Sequence, residues 1–150
     1  MYKIKIVEPK SKKEFEAYYF LRWQVLRKPW NQPPGTEKDE LESQSIHLMA
    51  VLNNKVIGCG RGHFITSKQA QIRWMAVAED FRKNGVGTEI LKELEKRIFA
   101  KGATEIILKA REKAVSLYQK HGYEIYDDGE IMFGEIMHYW MKKIVIKEKA

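Results

Sequence analysis

The stretch that most restricts the fold is residues 71–97, QIRWMAVAEDFRKNGVGTEILKELEKR. It opens with apolar side chains at alternate positions, which is the period of a β-strand. Further along, the apolar positions change to helical spacing and predict one buried stripe, made of Val86, Ile90, Leu91, Leu94 and Ile98. The sequence therefore predicts a strand, a loop and a long helix in direct succession.

The loop between this strand and this helix reads Arg82-Lys83-Asn84-Gly85-Val86-Gly87 and so combines two cations with two glycines. The first amides of a helix lack intrahelical acceptors and its dipole is positive at that end, which favours an anion. Glycines let a ligand approach the backbone closely. The loop predicts a site for a phosphate or pyrophosphate, although an ordinary turn with solvated cations would contain the same residue types.

Two common nucleotide-binding motifs do not match this loop. In a dinucleotide-binding turn Gly-x-Gly-x-x-Gly follows the strand directly, whereas here residues 78–84 intervene and Ile90 takes the place of the third glycine. The P-loop is excluded because the chain contains no Gly-Lys-Ser/Thr. What fits is Arg-x-x-Gly-x-Gly after a strand that ends in Met-Ala-Val. That pattern resembles the acetyl-CoA loop of the GNAT superfamily of N-acetyltransferases.

Length and composition indicate one globular domain over residues 1–150, because 44% hydrophobic residues suffice for a core in a chain of this size. No apolar segment is long enough for a membrane helix, and we expect no signal peptide at the N-terminus. The single cysteine, Cys59, excludes an internal disulfide and a cysteine zinc site, so we expect a cytoplasmic protein and no metal.

The net charge of +7 and a pI of about 9.4 suit anionic partners. Part of the excess comes from lysines near the C-terminus, namely Lys142, Lys143, Lys147 and Lys149. Nucleic acid is not favoured as a partner, since the chain has no aromatic-basic platform, zinc knuckle or recognition-helix pattern. An anionic cofactor explains the charge equally well.

The remaining patterns predict alternating strands and helices in a single α/β (α+β) domain. We expect a capping box at Ser11 to open a helix that Pro29 stops, and a hairpin turn at Asn53-Asn54. We also expect a second turn at residues 127–129. The other predicted strands are residues 2–7, 45–52, 55–65, 105–110, 123–126 and 136–144, and the other helices are a short one at 37–41 and a longer one at 111–121.

Three glycines, Gly58, Gly60 and Gly62, lie on one face of the strand predicted at residues 55–65. Glycine weakens a strand, so three on one face indicate that another element packs very close to the backbone there.

A second motif supports the GNAT resemblance: Ala114-x-x-Leu117-Tyr118-x-x-x-Gly122-Tyr123 is similar to the family's Ala-x-x-Phe/Leu-Tyr-x-x-x-Gly-Phe/Tyr segment. The resemblance covers residues 2–143. It implies the GNAT fold, a mixed central sheet of about seven strands flanked by about four helices.

Shorter patterns are similar to the ElaA-type branch of the family, namely Leu21-Arg22-x-x-Val25, Ser45-Ile46-His47-Leu48 and Glu135-Ile136-x-His138. One feature departs from the family. Many members carry asparagine near the end of the strand before the tyrosine helix, where this chain has Leu108-Lys109-Ala110-Arg111. The pantetheine contact of that asparagine therefore has no evident counterpart.

The resemblance implies direct acetyl transfer from acetyl-CoA to a primary amine within a ternary complex. The backbone of the strand before the loop would pair with the pantetheine, and the loop would hold the pyrophosphate. The implied cofactor-binding residues are Met75, Ala76, Val77, Arg82, Lys83, Asn84, Gly85, Val86, Gly87, Thr88 and Leu108.

The resemblance also implies that Tyr118 protonates, or hydrogen-bonds, the departing CoA thiolate. Its position alone would indicate a core aromatic residue. A general base must accept the proton of the ammonium. We prefer His138, because the last strand of this fold passes beside the acceptor side of the cleft, although a structural histidine would look the same. The other candidates are His63, Glu79 and Glu135.

Residues 37–42 contain four acids, Glu37, Asp39, Glu40 and Glu42, in an otherwise basic chain. The GNAT resemblance implies that this segment borders the acceptor entrance. It is either a solvated acidic turn or a device that attracts a cationic amine.

The leading prediction is thus an acetyl-CoA-dependent N-acetyltransferase. One alternative is a relative that uses another acyl-CoA or another acceptor. A second is a non-catalytic module that binds CoA or nucleic acid. The sequence does not identify the amine, and it also allows a homodimer.

Overall fold

Seven strands form one mixed sheet in this protein, whose computed structural model describes residues 3–145. The sheet order is β1-β2-β3-β4-β5-β7-β6, and only β4 and β5 are parallel neighbours. Three α-helices accompany the sheet within these residues. The elements in chain order are β1 (Lys5–Val7), α1 (Lys12–Leu26), β2 (Ile46–Leu52), β3 (Lys55–Phe64), β4 (Gln69–Val77), α2 (Val86–Ala100), β5 (Glu105–Arg111), α3 (Val115–Lys120), β6 (Glu124–Met132) and β7 (Ile136–Ile144).

The two long helices cover opposite faces of the sheet. Side chains of α2 form the main core with strands β2 to β5, and the whole predicted apolar stripe of this helix is buried. On the other face, Tyr18 and Leu21 of α1 pack with Met49, Cys59 and Ala76. Because successive side chains of a strand point to opposite faces, β3 turns Cys59 to α1 and its glycines to α2.

The three glycines of β3 are where α2 comes closest to the sheet. A Cβ atom on Gly58 would lie 2.9 Å from Ile90 Cδ1, one on Gly60 2.7 Å from Ile90 Cγ2, and one on Gly62 2.8 Å from Ile98 Cδ1. Any larger side chain would have to push the helix away from the strand. The prediction of close packing at this face is confirmed.

Local signals at the ends of elements are also confirmed. At the start of α1, Ser11 Oγ accepts a hydrogen bond from Glu14 N at 3.1 Å, and Glu14 Oε1 accepts one from Ser11 N at 2.9 Å, which completes the capping box. Asn53 and Asn54 turn the β2–β3 hairpin with φ values of 51° and 64°. The strand predicted at residues 2–7 is present as β1, which covers Lys5–Val7. The first residue of the prediction, Tyr2, lies outside the described residues.

One helix prediction is too long and another is wrong. The segment 111–121 is helical only at Val115–Lys120, because Arg111 remains in β5 opposite His138 of β7 and a 3₁₀ turn follows. The segment 37–41 forms turns instead of a helix, and a 3₁₀ turn comes later, at Glu42–Gln44. The described chain therefore has three α-helices where about four were predicted.

The cause in the second segment is competition by side chains. Glu37 Oε1 accepts from Gly35 N at 2.6 Å and Asp39 Oδ1 accepts from Leu41 N at 2.9 Å. Such local bonds offer the backbone an alternative to helical bonding.

The turn predicted at residues 127–129 is also wrong. β6 runs on to Met132, and the hairpin turns at Phe133 and Gly134, which have φ values of 52° and 71°. The Asp-Asp-Gly segment stays in the ladder through two irregularities of register against β7. Pairing with β7 overrides the local turn signal.

None of the helices found within residues 3–145 has the length and apolar content required to cross a membrane. Over the same residues, no group of three or more His, Cys, Asp and Glu side chains is placed to hold a metal ion.

Candidate active site

Strands β4 and β5 separate in the middle of the sheet. They pair in parallel from Gln69 opposite Glu105 to Ile72 opposite Leu108, and no pairing between them continues beyond that point. From there β5 pairs only with β7 up to Arg111, and β4 only with β3 up to Val77. The carboxyl half of β4 therefore presents an open edge toward a cleft between two neighbouring strands.

The direction of the amides on this edge follows from one hydrogen bond. Ala78 N donates to Ile57 O at 2.8 Å, so Ala78 faces β3. Since amides in an antiparallel ladder face alternate sides, Ala76 also faces β3 and Val77 faces the cleft. The Val77 carbonyl there accepts a 3.3 Å hydrogen bond from Arg82 Nε. An extended ligand chain could pair with Val77 N–H as an added strand would.

The separation begins at a bulge. Ala76 is opposite Cys59 and Arg73 opposite Arg61, so that Trp74 and Met75 together face the single residue Gly60. Trp74 has a φ of 63°, which is strained for a bulky residue. Its indole Nε1 is buried and has no hydrogen-bond partner among the described residues.

The loop that follows β4 leaves the start of α2 open. Gly85 is the N-cap of α2 with a φ of 78°, and no side chain bonds to the first amides of the helix. A Cβ on Gly85 would meet nothing within 4 Å, and one on Gly87 only Val77 Cγ2 at 3.7 Å. Uncapped amides, free space and the exposed cations Arg82 and Lys83 together suit an anion such as a pyrophosphate.

Tyr118 lies in α3, in the same core cluster as Val86 and Leu108. Its ring packs edge-on against Tyr123 with a centroid distance of 5.8 Å. No hydrogen bond joins its hydroxyl to another described residue, and burial raises the pKa of Tyr118 to about 12. The phenol is therefore fully protonated near neutral pH. The side chain of Leu108 is enclosed in the core and offers no open surface to a ligand.

His138 is buried in β7, directly opposite Arg111 of β5. Its Nδ1 donates to the carbonyl oxygen of Ile136 at 3.0 Å, because a carbonyl can only accept. Burial lowers the pKa of His138 below its usual 6.5, although the backbone carbonyls of Ile136 and Glu130 favour the charged ring. In the neutral ring with its proton on Nδ1, the lone pair is on Nε2.

The other base candidates lie in different settings. Burial and the neighbouring Arg61 guanidinium lower the pKa of His63, whose Nδ1 is 3.3 Å from Arg61 Nη2. Glu79 and Glu135 are exposed, in a 3₁₀ turn after β4 and in the β6–β7 turn. Cys59 is a core residue as predicted: it is fully buried, and burial raises the pKa of its thiol to about 11.

The family is settled by sequence comparison. The profile of the Acetyltransferase (GNAT) family matches residues 15–123. The chain belongs to this family. An uncharacterized N-acetyltransferase of Bacillus subtilis, YjcF, is 33% identical over 140 residues, which cover 93% of this chain and 99% of that protein. The predicted class, an acetyl-CoA-dependent N-acetyltransferase, is confirmed.

Solved structures show the same GNAT fold at low sequence identity. An aminoglycoside 6′-N-acetyltransferase complexed with coenzyme A superposes with a TM-score of 0.80 at 18% identity, covering 97% of this chain and 99% of that chain. ElaA of Escherichia coli gives 0.77 at 16% identity, covering 95% and 99%. Both likenesses concern the fold alone. The ElaA-type branch is therefore matched only at the level of architecture.

Two of the four acids in the segment 37–42 of this GNAT domain, Asp39 and Glu42, are bonded to buried arginines, which neither interpretation foresaw. Asp39 and Glu42 accept from Arg61 Nη1 at 2.6 and 2.7 Å, and Glu42 also accepts from Arg22 Nη1 at 2.9 Å. Burial opposes the charge on Asp39, but its bonds to Arg61 and to the Leu41 amide prevail and hold its pKa well below the usual range. Asp39 and Glu42 therefore fasten the loop after α1 to the sheet, whereas Glu40 is exposed.

Sequence reasoning missed the surroundings of Trp74. The guanidinium carbons of Arg22, Arg27 and Arg73 lie 5.0, 4.6 and 4.4 Å from the centre of its ring system. Arg27 also lies 5.7 Å from the ring of Phe133, which stacks on Trp30. No periodic pattern links residues so distant in the chain; the only local signal is a tryptophan directly before Met-Ala-Val.

Proposed function

We propose that this GNAT protein transfers the acetyl group of acetyl-CoA to a primary amine by direct attack within a ternary complex. The observation that carries this proposal is the open edge of β4 beside the uncapped start of α2. Together they provide a strand-like partner for pantetheine and an anion site for pyrophosphate, one directly after the other along the chain.

In this proposal the backbone of Met75, Ala76 and Val77 lines the pantetheine arm, with the Val77 amide, which faces the cleft, as a donor. The pyrophosphate occupies the loop and the first turn of α2. Its contacts come from the amides and side chains of Arg82, Lys83, Asn84, Gly85, Val86, Gly87 and Thr88. The enclosed side chain of Leu108 leaves only an indirect role for that residue.

The chemical step is an addition followed by an elimination. The amine nitrogen attacks the thioester carbonyl carbon, a base removes one proton from nitrogen, and the carbon–sulfur bond breaks to release CoA thiolate. Amides at the open edge of β4 hydrogen-bond the carbonyl oxygen while it carries negative charge. The protein's main contribution is to hold the two substrates in contact.

We assign Tyr118 to the leaving thiolate because its hydroxyl is protonated and bonded to no described residue. A thiol has a pKa of about 8.5, so complete transfer from a phenol with a pKa of about 12 is uphill by roughly 5 kcal/mol. Tyr118 therefore acts first as a hydrogen-bond donor to the developing sulfur charge, and the thiolate leaves on its own or takes a proton from water.

We assign His138 as the base that accepts the amine proton. The support is its tautomer: with Nδ1 donating to Ile136 O, the neutral ring presents Nε2 as an acceptor. Its lowered pKa keeps the ring deprotonated near neutral pH. Arg111, directly opposite on β5, ends the strand that borders the cleft, which brings His138 to the same end of the sheet.

A thiol-release assay over a panel of amines, together with calorimetry, tests the function. We expect acetyl-CoA to bind without an amine and CoA thiol to appear only when a suitable amine is present. Duplex DNA serves as the control ligand for the basic charge of the chain. Binding of DNA with no release of thiol from any amine would contradict the proposal.

A further inference from the structure

Positive charge at the proposed acceptor end of the cleft is only partly balanced by the protein. Arg22 and Arg61 are fully buried and bonded to the carboxylates of Glu42 and Asp39, and Arg73 bonds to Asp39 at 3.0 Å. Within residues 3–145, Arg27 and Arg111 contact no carboxylate.

Arg27 is the clearest case. It is 8% exposed, and its guanidinium bonds only to neutral carbonyls, Nε to Thr36 O at 3.0 Å and Nη1 to Leu26 O at 3.1 Å. Burial, and then the charges of Arg73 and Arg111, lower the pKa of Arg27, while the carboxylate of Glu37 acts in the opposite direction without bonding to it, and Arg27 remains a cation at neutral pH. A buried charge with no directly bonded counter-ion is costly, so an anion from outside the chain would be held strongly.

Arg111 and Arg73 are also cations whose charge the described residues balance only in part or not at all. Burial and the charge of Arg82 lower the pKa of Arg111, and no described residue bonds to its guanidinium. The Arg73 side chain is 42% exposed, so it can take a second partner besides Asp39. The nearby carboxylate of Glu130 is already bonded to Lys109 at 2.5 Å.

The arginine cluster lies near the position proposed for the acceptor amine. Arg73 and Trp74 directly precede Met75, where the thioester carbonyl would lie, and Arg111 lies opposite His138, the proposed base. The buried Trp74 Nε1 is a further donor without a partner among the described residues. Arg27, Arg73 and Trp74 thus border the acetyl group, whereas Arg111 also lies within reach of the charge of Arg82, which belongs to the proposed pyrophosphate site.

We propose that the acceptor of this enzyme is an amine that also carries a carboxylate, which Arg27, Arg73 and Arg111 hold beside Trp74. A planar carboxylate matches the two-pronged donor geometry of guanidinium groups. This inference rests on the proposed function and names the class of its acceptor.

Matched amine pairs test the inference, for example β-alanine with β-alaninamide and γ-aminobutyrate with its amide, all assayed by thiol release. We expect the carboxylate member to be favoured in kcat/KM by at least about tenfold, the size of one charge-assisted hydrogen bond. Phosphoethanolamine is included, and its preference over every carboxylate would overturn the assignment, as would equal turnover of acids and amides.

Substitutions of single arginines show which of them are responsible for the carboxylate preference. Arg111→Gln should remove most of the preference while amide turnover stays unchanged, and it breaks no hydrogen bond with a described residue. Acetyl-CoA affinity is measured alongside, because the charge of Arg82 in the proposed pyrophosphate site acts on Arg111. Arg27→Gln should do the same but also loosens the loop after α1. Arg97→Gln is the matched control, since Arg97 of α2 is already paired with Glu8, which follows β1, and with Glu93 of the same helix.

The two proposals fail differently. If neutral amines are acetylated and carboxylates are not preferred, only the acceptor class is wrong. If no amine releases thiol, the transferase proposal fails and the acceptor class with it.

Discussion

Two sets of glycines in this protein look alike in sequence and differ in what surrounds them. On β3, a Cβ on Gly58, Gly60 or Gly62 would come within 2.9 Å of side chains of α2. At the start of α2, a Cβ on Gly85 or Gly87 would meet nothing closer than 3.7 Å. The β3 glycines are explained by the protein itself. The glycines at the start of α2 are explained by space that a ligand would fill.

Two tyrosines of the same core cluster show the same contrast. The Tyr123 hydroxyl donates to Glu95 Oε2 at 2.7 Å, and Lys143 Nζ donates to both oxygens of that carboxylate at 3.2 Å. The Tyr118 hydroxyl has no such partner among the described residues. A fully enclosed polar atom is ordinarily bonded. The Tyr118 oxygen is not one of the enclosed atoms that lack a partner, so it keeps access from outside the core and is the better candidate for a role in catalysis.

The tyrosine pair gives the largest expected effect. Tyr118→Phe should lower kcat by about 10² or more, because only the donor to the leaving sulfur is lost. Its melting temperature and acetyl-CoA affinity should match the parent's. Tyr123→Phe should behave in the opposite way and lose about 1–3 kcal/mol of unfolding free energy with kcat little changed. Equal turnover of the Tyr118 variant and the parent would remove Tyr118 from the mechanism.

Gly60→Ala gives the next largest effect, on stability. The added methyl would lie 2.7 Å from Ile90 Cγ2 and 2.6 Å from Met75 Sδ. We expect a loss of about 1–3 kcal/mol in denaturant unfolding, since α2 must shift away from β3. A variant as stable as the parent would show that the interface yields without cost, and the contrast between the two glycine sets would disappear.

Gly87→Ala should have a smaller effect, and on binding only. Gly87 has space for a methyl group and lies inside α2, where alanine is favourable, so stability should be equal to or above the parent's. Acetyl-CoA affinity, measured by calorimetry, should fall roughly tenfold, or about 1–2 kcal/mol. Gly85→Ala is less informative, because a φ of 78° strains any other residue. Unchanged affinity in Gly87→Ala would place the pyrophosphate elsewhere.

The smallest expected effect is on pH dependence. Burial lowers the pKa of His138 from 6.5, so the rate should fall only when the pH drops below that folded-state value. Stability should also decrease as the pH falls below 6.5, because the unfolded ring binds its proton first. His138→Gln should remove the acidic limb of the rate profile. The pKa of His63 is lowered too, but His63→Gln should leave the acidic limb of the rate profile in place. The reverse pattern would move the base to His63.

Short-range patterns in the sequence were enough to predict much of this fold. The apolar stripe of α2, the capping box at Ser11 and the glycine face of β3 each depend on residues a few positions apart. The structure has all three. The strand, loop and helix order around the predicted pyrophosphate site was predicted for the same reason.

The parts that sequence reasoning missed depend on partners far along the chain. The loop after α1 is shaped by Arg61 bonding to Asp39 and Glu42, which are 22 and 19 residues away. The Arg27–Trp74 contact joins a helix end to a strand bulge. The Asp-Asp-Gly segment of β6 pairs with β7 and so belongs to the sheet. Such pairings leave no periodic pattern in the sequence, so both the helix at 37–41 and the turn at 127–129 were predicted wrongly.

Amide hydrogen exchange with and without acetyl-CoA tests the central claim most directly, namely that the ligand occupies the open edge of β4 and the start of α2. Val77 faces the cleft while Ala76 faces β3, so Val77 should exchange quickly in the free protein and slowly in the complex. The amides of residues 86–88 should become protected with it, whereas Ala76 should be slow in both states. If acetyl-CoA binds but the exchange rates of Val77 and residues 86–88 stay the same as in the free protein, the account is contradicted.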